Sequence, residues 1–411
     1  MGTDSVGLYV HVPFCRSICG YCHFTRGLSD PDLERRYVEA VIREIRTSIA
    51  GLPPSREALR RPGPPSREAL RRPGKPRATA TADTIYFGGG TPSLVAPADI
   101  AAVVCACRER FDVLPGAEIT LEANPETVSP ERLAGYRAAG VNRVSFGVQS
   151  FRDEELARLG RLHDAARARA AYHQARAAGF DNVSLDLMLG LPGQTLADLM
   201  VSVDELIRLG PEHASLYLLE LHPDTPLGDG MAGAGGVQAA DDDAADMYLE
   251  TMARLESAGY GQYEISNVTR PGRRSRHNVK YWTDGEWLGF GCGAHSTLGR
   301  ERWNNVEKAS DYVTRMERGG SPVSARRLLS PREQLEEALF MELRLTEGVR
   351  LDRIRHAYGV DVWQRWGARL APFEEAGWLE HDDRRLRLTR RGMLVANSVM
   401  ITFLEAGSTV K

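Results

Sequence analysis

Six apolar runs with strand character recur along the chain, at 7–12 (GLYVHV), 83–88 (DTIYFG), 117–121 (AEITL), 142–148 (NRVSFGV), 182–189 (NVSLDLML) and 214–220 (ASLYLLE), and each is followed by a helical pattern. The helix starts are marked. Ser129-Pro130 places an N-cap before a proline at the first helical position, and Thr195 with Asp198 makes a capping box. The apolar stripe Leu196, Leu199, Met200, Val203, Leu206 and Ile207 follows that box. Strands alternating with helices pair in parallel through right-handed crossovers, and near-continuous apolar strands imply a sheet covered on both faces. The expected fold class is therefore α/β, a partial (βα)6 barrel, with a doubly wound open sheet as the alternative. The chemically distinctive residues favour the barrel because they follow the strands in order. Three cysteines come after the first strand, Gly88-Gly89-Gly90-Thr91-Pro92 after the second, Glu122 at the end of the third and Gln149 at the end of the fourth; Asp186 lies within the fifth and Glu220 closes the sixth. All would meet at the C-terminal mouth, where such barrels build their active sites.

A chain of 411 residues exceeds one such unit. The expected organisation is a barrel core over 1–225, an extension of it over 226–325, and a C-terminal α+β, winged-helix-like domain over 326–411, where helices precede the hairpin pattern GWLEHDDRRLRLT. Winged helices often bind DNA, but acidic residues alternate with basic ones here, so packing against the barrel is the expectation. Within the core, PPSREALRRPG at 53–63 is repeated letter for letter at 64–74, and 53–77 carries eight basic residues against two acidic ones, the pattern of a disordered insertion. A second flexible connection is expected over 224–243.

With 52 basic and 55 acidic residues, a net charge of −3 gives no bulk attraction to nucleic acid or an anionic membrane. No apolar run reaches transmembrane length, and the first residues lack the basic start and apolar stretch of a signal peptide. A cytoplasmic location is expected, with peripheral membrane contact left open. Six cysteines, three of them within eight residues, suit ligands in a reducing compartment better than a disulfide framework. Cys105 and Cys107 lie in a helical pattern and are expected in the core.

Cys15, Cys19 and Cys22 are the remaining cluster. Thiolates are soft ligands for iron–sulfur clusters and for zinc, and three on one loop can fold round one centre. Spacing alone leaves both open, because His11 or His23 could complete a tetrahedral zinc site.

The string YVHVPFCRSICGYCHF, with its CxxxCxxC pattern and Tyr21 before the last cysteine, resembles the opening of radical-SAM proteins, and GGGTP resembles their second-strand glycine motif. LEANPETV, RVSFGVQSF, LDLMLGLPGQT, YEISN, HNVKYW and GFGCGAHS extend the likeness to the coproporphyrinogen oxidase-like branch, most closely the HemW-type haem chaperones, over roughly 7–322. The resemblance implies a radical-SAM barrel, a 4Fe-4S cluster on Cys15, Cys19 and Cys22, and S-adenosylmethionine (SAM) chelating the iron that lacks a cysteine. The reduced cluster would then cleave the sulfonium to a 5′-deoxyadenosyl radical. It carries SAM contacts onto Tyr9, Tyr21, Gly89, Gly90, Thr91, Glu122, Gln149, Arg161 and Asp186. Glycines at 88–90 would let the backbone approach the methionyl amine. Glu122 and Asp186 would accept from ribose hydroxyls or the amine, and Arg161 would pair the carboxylate.

The same resemblance implies haem as a further ligand, with His277 of HNVKYW as axial ligand and Cys292 and His295 as alternatives. Three functions follow: a chaperone that passes haem to an acceptor protein, an oxygen-independent coproporphyrinogen oxidase, or a radical-SAM methyltransferase. The oxidases carry a fourth cysteine two places after the third ligand, where this chain has Phe24, and a longer segment before the cluster, where only fourteen residues precede Cys15. Both features point to the chaperone. His23 departs from the acidic residue usual at its position.

Overall fold

The computed structural model describes residues 5–22, 25–48, 80–220 and 241–404. The insertion at 53–77, the connection up to residue 240, the boundary at 225/226, and His23 and Phe24 all lie outside the described residues. The helix Asp241–Ser257 begins at the end of the segment expected to be a flexible connection.

The six expected strands are present: β1 (Val6–Val12), β2 (Thr81–Gly89), β3 (Asp112–Ala123), β4 (Arg143–Gln149), β5 (Val183–Leu189) and β6 (His213–Leu218). They pair in parallel and in sequence order. Sequential order settles the choice between barrel and doubly wound sheet, since a doubly wound sheet reverses its order at a switch point. Side-chain alternation shows how the barrel is built. Leu8, Val10 and Val12 of β1 and Val144, Phe146 and Val148 of β4 are buried in the apolar core. The alternate residues Tyr9 and His11, Arg143 and Ser145, Ser184 and Asp186 form the opposite face, which lines the lumen. The strands are thus apolar on one face and polar on the other, rather than apolar throughout.

Six further strands enlarge this sheet: β7 (Gly261–Glu264), β8 (Asn267–Thr269), β9 (Trp287–Phe290), β10 (His295–Leu298), β11 (Glu301–Asn305) and β12 (Val323–Leu328). The order is β12-β11-β10-β9-β1-β2-β3-β4-β5-β6-β8-β7. β9 is a seventh parallel strand, registered against β1 with Tyr9 opposite Gly289. It escaped the sequence reading because four residues containing a glycine carry too little periodicity. Among the described residues no ladder joins β7 to β12, so the barrel is an open arc.

Caps hold the surrounding helices in place. Ser129 caps Pro130–Ala138, Thr195 and Asp198 form the reciprocal box on Leu196–Leu209, and Asp30 accepts from Asp32 N and Leu33 N at the start of Pro31–Thr47. Each cap contributes about 1 kcal/mol. Cys107 is buried as expected, but Cys105 is exposed, because it lies on the outward face of its helix beside Glu109. The C-terminal region places helices Pro331–Glu342, Leu351–Tyr358 and Val362–Glu375 with a three-stranded sheet of Val349–Arg350, Leu379–His381 and Arg385–Leu388, a winged-helix-like arrangement. It packs on the barrel through one continuous apolar core, with Tyr248 Oη donating to Met393 Sδ at 3.5 Å and Thr346 N to the Tyr263 carbonyl at 3.1 Å. No helix among the described residues is long and apolar enough to cross a membrane.

Candidate functional site

The cysteine loop leaves β1 at the barrel mouth. Cys15 is buried, and Cys19 and Cys22 are partly buried and joined by a turn from Cys22 N to the Cys19 carbonyl at 3.2 Å. Burial raises the Cys15 thiol above its ordinary range, an effect opposed by the Thr91 hydroxyl at 3.6 Å. Arg161 Nη1 lies 3.5 Å from Cys19 Sγ. Tyr21 packs against the second apolar cluster, which contains Leu159, Met188, Leu191 and Leu219, and this ties the loop to the far wall.

The glycine run lies directly against this loop. Gly90 N donates to the Val12 carbonyl at 2.7 Å and Thr91 N to the Phe14 carbonyl at 2.8 Å. A Cβ on Gly90 would come 2.8 Å from the Phe14 carbonyl oxygen, and one on Gly89, whose φ is +115°, would come 2.5 Å from the His11 ring. The glycines are therefore needed by the protein's own packing, whatever approaches them. His11 is not a spare metal ligand. Its Nε2 donates to the Thr25 carbonyl at 2.9 Å, and its Nδ1 accepts from Tyr9 Oη at 3.0 Å. The zinc alternative thus loses one of its two histidines.

The remaining expected contacts line the same mouth. Glu122 accepts from Tyr86 Oη at 2.7 Å and from Gly89 N at 3.1 Å. Burial, opposed by those two bonds, pushes its carboxyl up to about 7. Burial likewise pushes Asp186, bonded by the Ser145 hydroxyl, up to about 6. Gln149 has a φ of 71°, a left-handed conformation uncommon outside glycine, and its buried Oε1 has no partner. Arg161 Nη2 donates to Asn124 Oδ1 at 2.6 Å and to the Gly147 carbonyl at 2.8 Å, while its buried Nε has no partner. A strained glutamine and two orphaned polar atoms at one mouth have the form of a cradle for a polar ligand.

Two residues that hold this cradle were missed as individuals. Asn124 also donates to Thr91 Oγ1 at 3.2 Å, and His163 bridges Glu126 Oε2 and the Val148 carbonyl, each at 3.1 Å. Asn124 stood in a legible string, LEANPETV, and His163 in none, and nothing local reports partners on other strands.

His277 is not where an accessible axial ligand would be. It is fully buried, with Nδ1 bonded to Thr84 Oγ1 at 2.8 Å and Nε2 to Tyr281 Oη at 2.9 Å. Tyr86 and Tyr9 stack on the ring with centroids at 5.1 and 6.3 Å. Burial, with the charges of Lys280 and Arg143, pulls its pKa down to about 3, so it is a neutral keystone in the barrel floor. Cys292 is buried against Tyr37, whereas His295 is exposed.

The radical SAM superfamily model matches residues 9–206, and the HemN C-terminal domain model matches 329–395. Heme chaperone HemW of Mycobacterium tuberculosis strain H37Rv is 38% identical over 405 residues, covering 97% of this chain and 94% of that one. The chain belongs to the HemW family of radical SAM proteins. HemW of Bacillus subtilis is 33% identical over 96% of this chain and 98% of its own, and the mitochondrial radical S-adenosyl methionine domain-containing protein 1 of Bos taurus is 35% identical over 98% and 88%. Among solved structures, coproporphyrinogen III oxidase HemN of Escherichia coli superposes with a TM-score of 0.79 at 22% identity, over 97% of this chain and 90% of that one. That likeness establishes the fold, a radical SAM barrel followed by a C-terminal domain.

The raised carboxyls of this HemW-family site give a testable sign. Glu122 has a folded value of about 7 against an ordinary 4.5, so between those pH values the folded state binds more protons than the unfolded one and stability falls as pH rises. Glu122→Gln should stabilise the ligand-free protein above pH 7 by about 1–2 kcal/mol, after the loss of one accepted hydrogen bond, and should give no gain near pH 4. Thermal denaturation at the two pH values measures this.

Proposed function

We propose that this chain is a cytoplasmic haem chaperone that carries a 4Fe-4S cluster and SAM at the barrel mouth, binds haem and transfers it to an acceptor protein. The observation that carries the reading is near full-length similarity to curated haem chaperones. The mouth fits the implied groups. Three thiols share one loop beside Arg161, and Gln149 Oε1 and Arg161 Nε lack partners. When bound, cluster and SAM would supply one-electron chemistry. Cys15, Cys19 and Cys22 would hold the cluster. Tyr9, Tyr21, Gly89, Gly90 and Thr91 would shape the pocket, and Glu122, Gln149, Arg161 and Asp186 would orient the polar ends of SAM.

For haem, the exposed His295 is the better-placed axial ligand. His277 would have to give up Thr84 or Tyr281 before it reached iron. Exposed Ile18, Leu162 and Leu218 leave apolar surface on the cysteine loop, beside Arg161 and at the end of β6, suited to a porphyrin edge or an acceptor.

The test combines haemin titration and coproporphyrinogen III turnover on one reduced, cluster-reconstituted sample. A Soret band with no protoporphyrinogen IX is expected; turnover would replace the chaperone by an oxidase. His295→Ala should shift or abolish the Soret band. His277→Ala should keep it but lose about 3 kcal/mol of stability, through the cavity and the two unpaired partners left behind. The reverse pattern would make His277 the ligand.

A further inference from the structure

Arg143 opens β4 and is 1% exposed, the largest fully buried side chain in the molecule's described part. Its Nε has no hydrogen-bond partner, and among the described residues the guanidinium forms no ion pair. A buried charge left without contact is costly and is not retained for stability. Its surroundings follow from register. Thr120 of β3 stands opposite it and also has a buried hydroxyl with no partner. One lumen layer nearer the mouth, Ser145 faces Glu122 across one ladder, and one layer further on Gly147 faces Asp186 across the other.

Among the described residues, Arg143 is the cation that acts on both carboxylates. Glu122 is faced by Tyr9 from β1, Tyr86 from β2, Asp186 from β5, Tyr217 from β6 and Tyr281 from the helix Arg276–Trp282. The same Tyr217 and Glu122 face Asp186. Burial keeps Tyr9, Tyr86 and Tyr281 protonated, and it keeps the histidines His213 and His277 near Arg143 neutral. Hydrogen bonds from Tyr86 and Gly89 to Glu122, and from Ser215, Ser145 and Ser184 to Asp186, offset part of the desolvation, and the charge of Arg143 acts on both carboxylates against their mutual repulsion. A bound anion at Arg143 would meet the same two carboxylates and is disfavoured.

Its lack of direct contact has a use. A guanidinium paired fork-to-fork with either carboxylate would occupy the oxygens that a ligand must reach. Held one layer below Glu122, across a diagonal of roughly 7–8 Å, and two layers below Asp186, it acts through the low-dielectric lumen while those oxygens stay free. We propose that Arg143 is a positioning residue of the SAM site, a counter-charge that keeps Glu122 and Asp186 ionised for the cationic amine and ribose hydroxyls of SAM without touching the ligand. This rests on the reading of the mouth as a SAM site.

SAM affinity, measured by calorimetry on oxidised, cluster-reconstituted protein across pH 5.5 to 9, is the test. Arg143→Gln should move the midpoint of the affinity profile up by about one pH unit, giving roughly tenfold weaker binding at neutral pH and recovery at the alkaline end. Arg143→Lys should stay near wild type. Arg143→Met serves the same purpose if the glutamine variant does not fold. An equal loss at every pH, a lysine variant as impaired as the glutamine one, or an unmoved midpoint would each overturn the proposal. The reading it rests on fails differently. If wild type does not bind SAM, or if Glu122→Gln and Asp186→Asn bind it as wild type does, the SAM-site assignment falls and takes this role with it.

Discussion

Cys19→Ser is expected to leave a folded protein that holds almost no iron–sulfur cluster after anaerobic reconstitution, with iron and sulfide falling from about four per chain to well below one. Three thiols are the whole proposed protein ligand set of a four-iron cluster, so losing one removes a third of the anchoring bonds and replaces a soft thiolate with a hard, protonated hydroxyl. Cys19 is the most telling of the three. Its sulfur lies beside the Arg161 guanidinium at 3.5 Å, and it is partly exposed, so serine there costs little packing. Thermal denaturation of the cluster-free protein should change by less than about 1 kcal/mol. SAM affinity should fall at least tenfold, because the iron that would chelate the amine and carboxylate is gone. Full occupancy in the variant would transfer the cluster to other ligands and undo the assignment of the loop.

The second large effect is expected at a residue with no functional group. Gly90→Val places a branched side chain where even a Cβ would sit 2.8 Å from the Phe14 carbonyl oxygen and 2.9 Å from the Val12 carbonyl oxygen. Those atoms are backbone and cannot turn aside as a flexible side chain would. The hydrogen bonds from Gly90 N to Val12 and from Thr91 N to Phe14 latch the glycine loop to the start of the cysteine loop, so relieving the clash separates the two. Overpacking of this kind costs typically 1–3 kcal/mol, and two strained backbone bonds bring the expected loss to about 3–4 kcal/mol. The readouts are a lower denaturation midpoint together with cluster loss comparable to Cys19→Ser. Gly116→Val, at a position whose Cβ meets nothing within 4 Å but whose φ is +75°, separates packing from backbone strain and should cost about 1–2 kcal/mol with the cluster retained.

Much of this molecule is written in local signals. The six strand–helix units, the cap at Ser129, the box at Thr195 and Asp198, and the three-cysteine loop are each legible within a few residues, because hydrophobic period, capping and ligand spacing are short-range properties. The arrival of Glu122, Gln149 and Asp186 at one mouth followed from strand polarity, whereas Tyr9 and Arg161 came with the family resemblance. What stayed hidden depended on which strands become neighbours. β9 to β12 are short, and they join the sheet only because β9 registers against β1. His277 sits in a motif suggestive of iron binding, yet Thr84 and Tyr281 occupy both its nitrogens; Tyr281 stands one turn along the same helix, and only the packing of that helix on the sheet brings Thr84 there. Arg143 looked like any strand-opening arginine in NRVSFGV.

The sequence by itself determined the order of the elements, the direction of the strands and the rim on which the chemistry gathers, since these follow from periodicity and chain connectivity. Tertiary structure alone decided which polar groups are satisfied and which are left unpartnered. Hydrogen bonds and charge compensation inside a barrel are made between residues tens of positions apart, at distances set by register to within an ångström, and no local pattern encodes that.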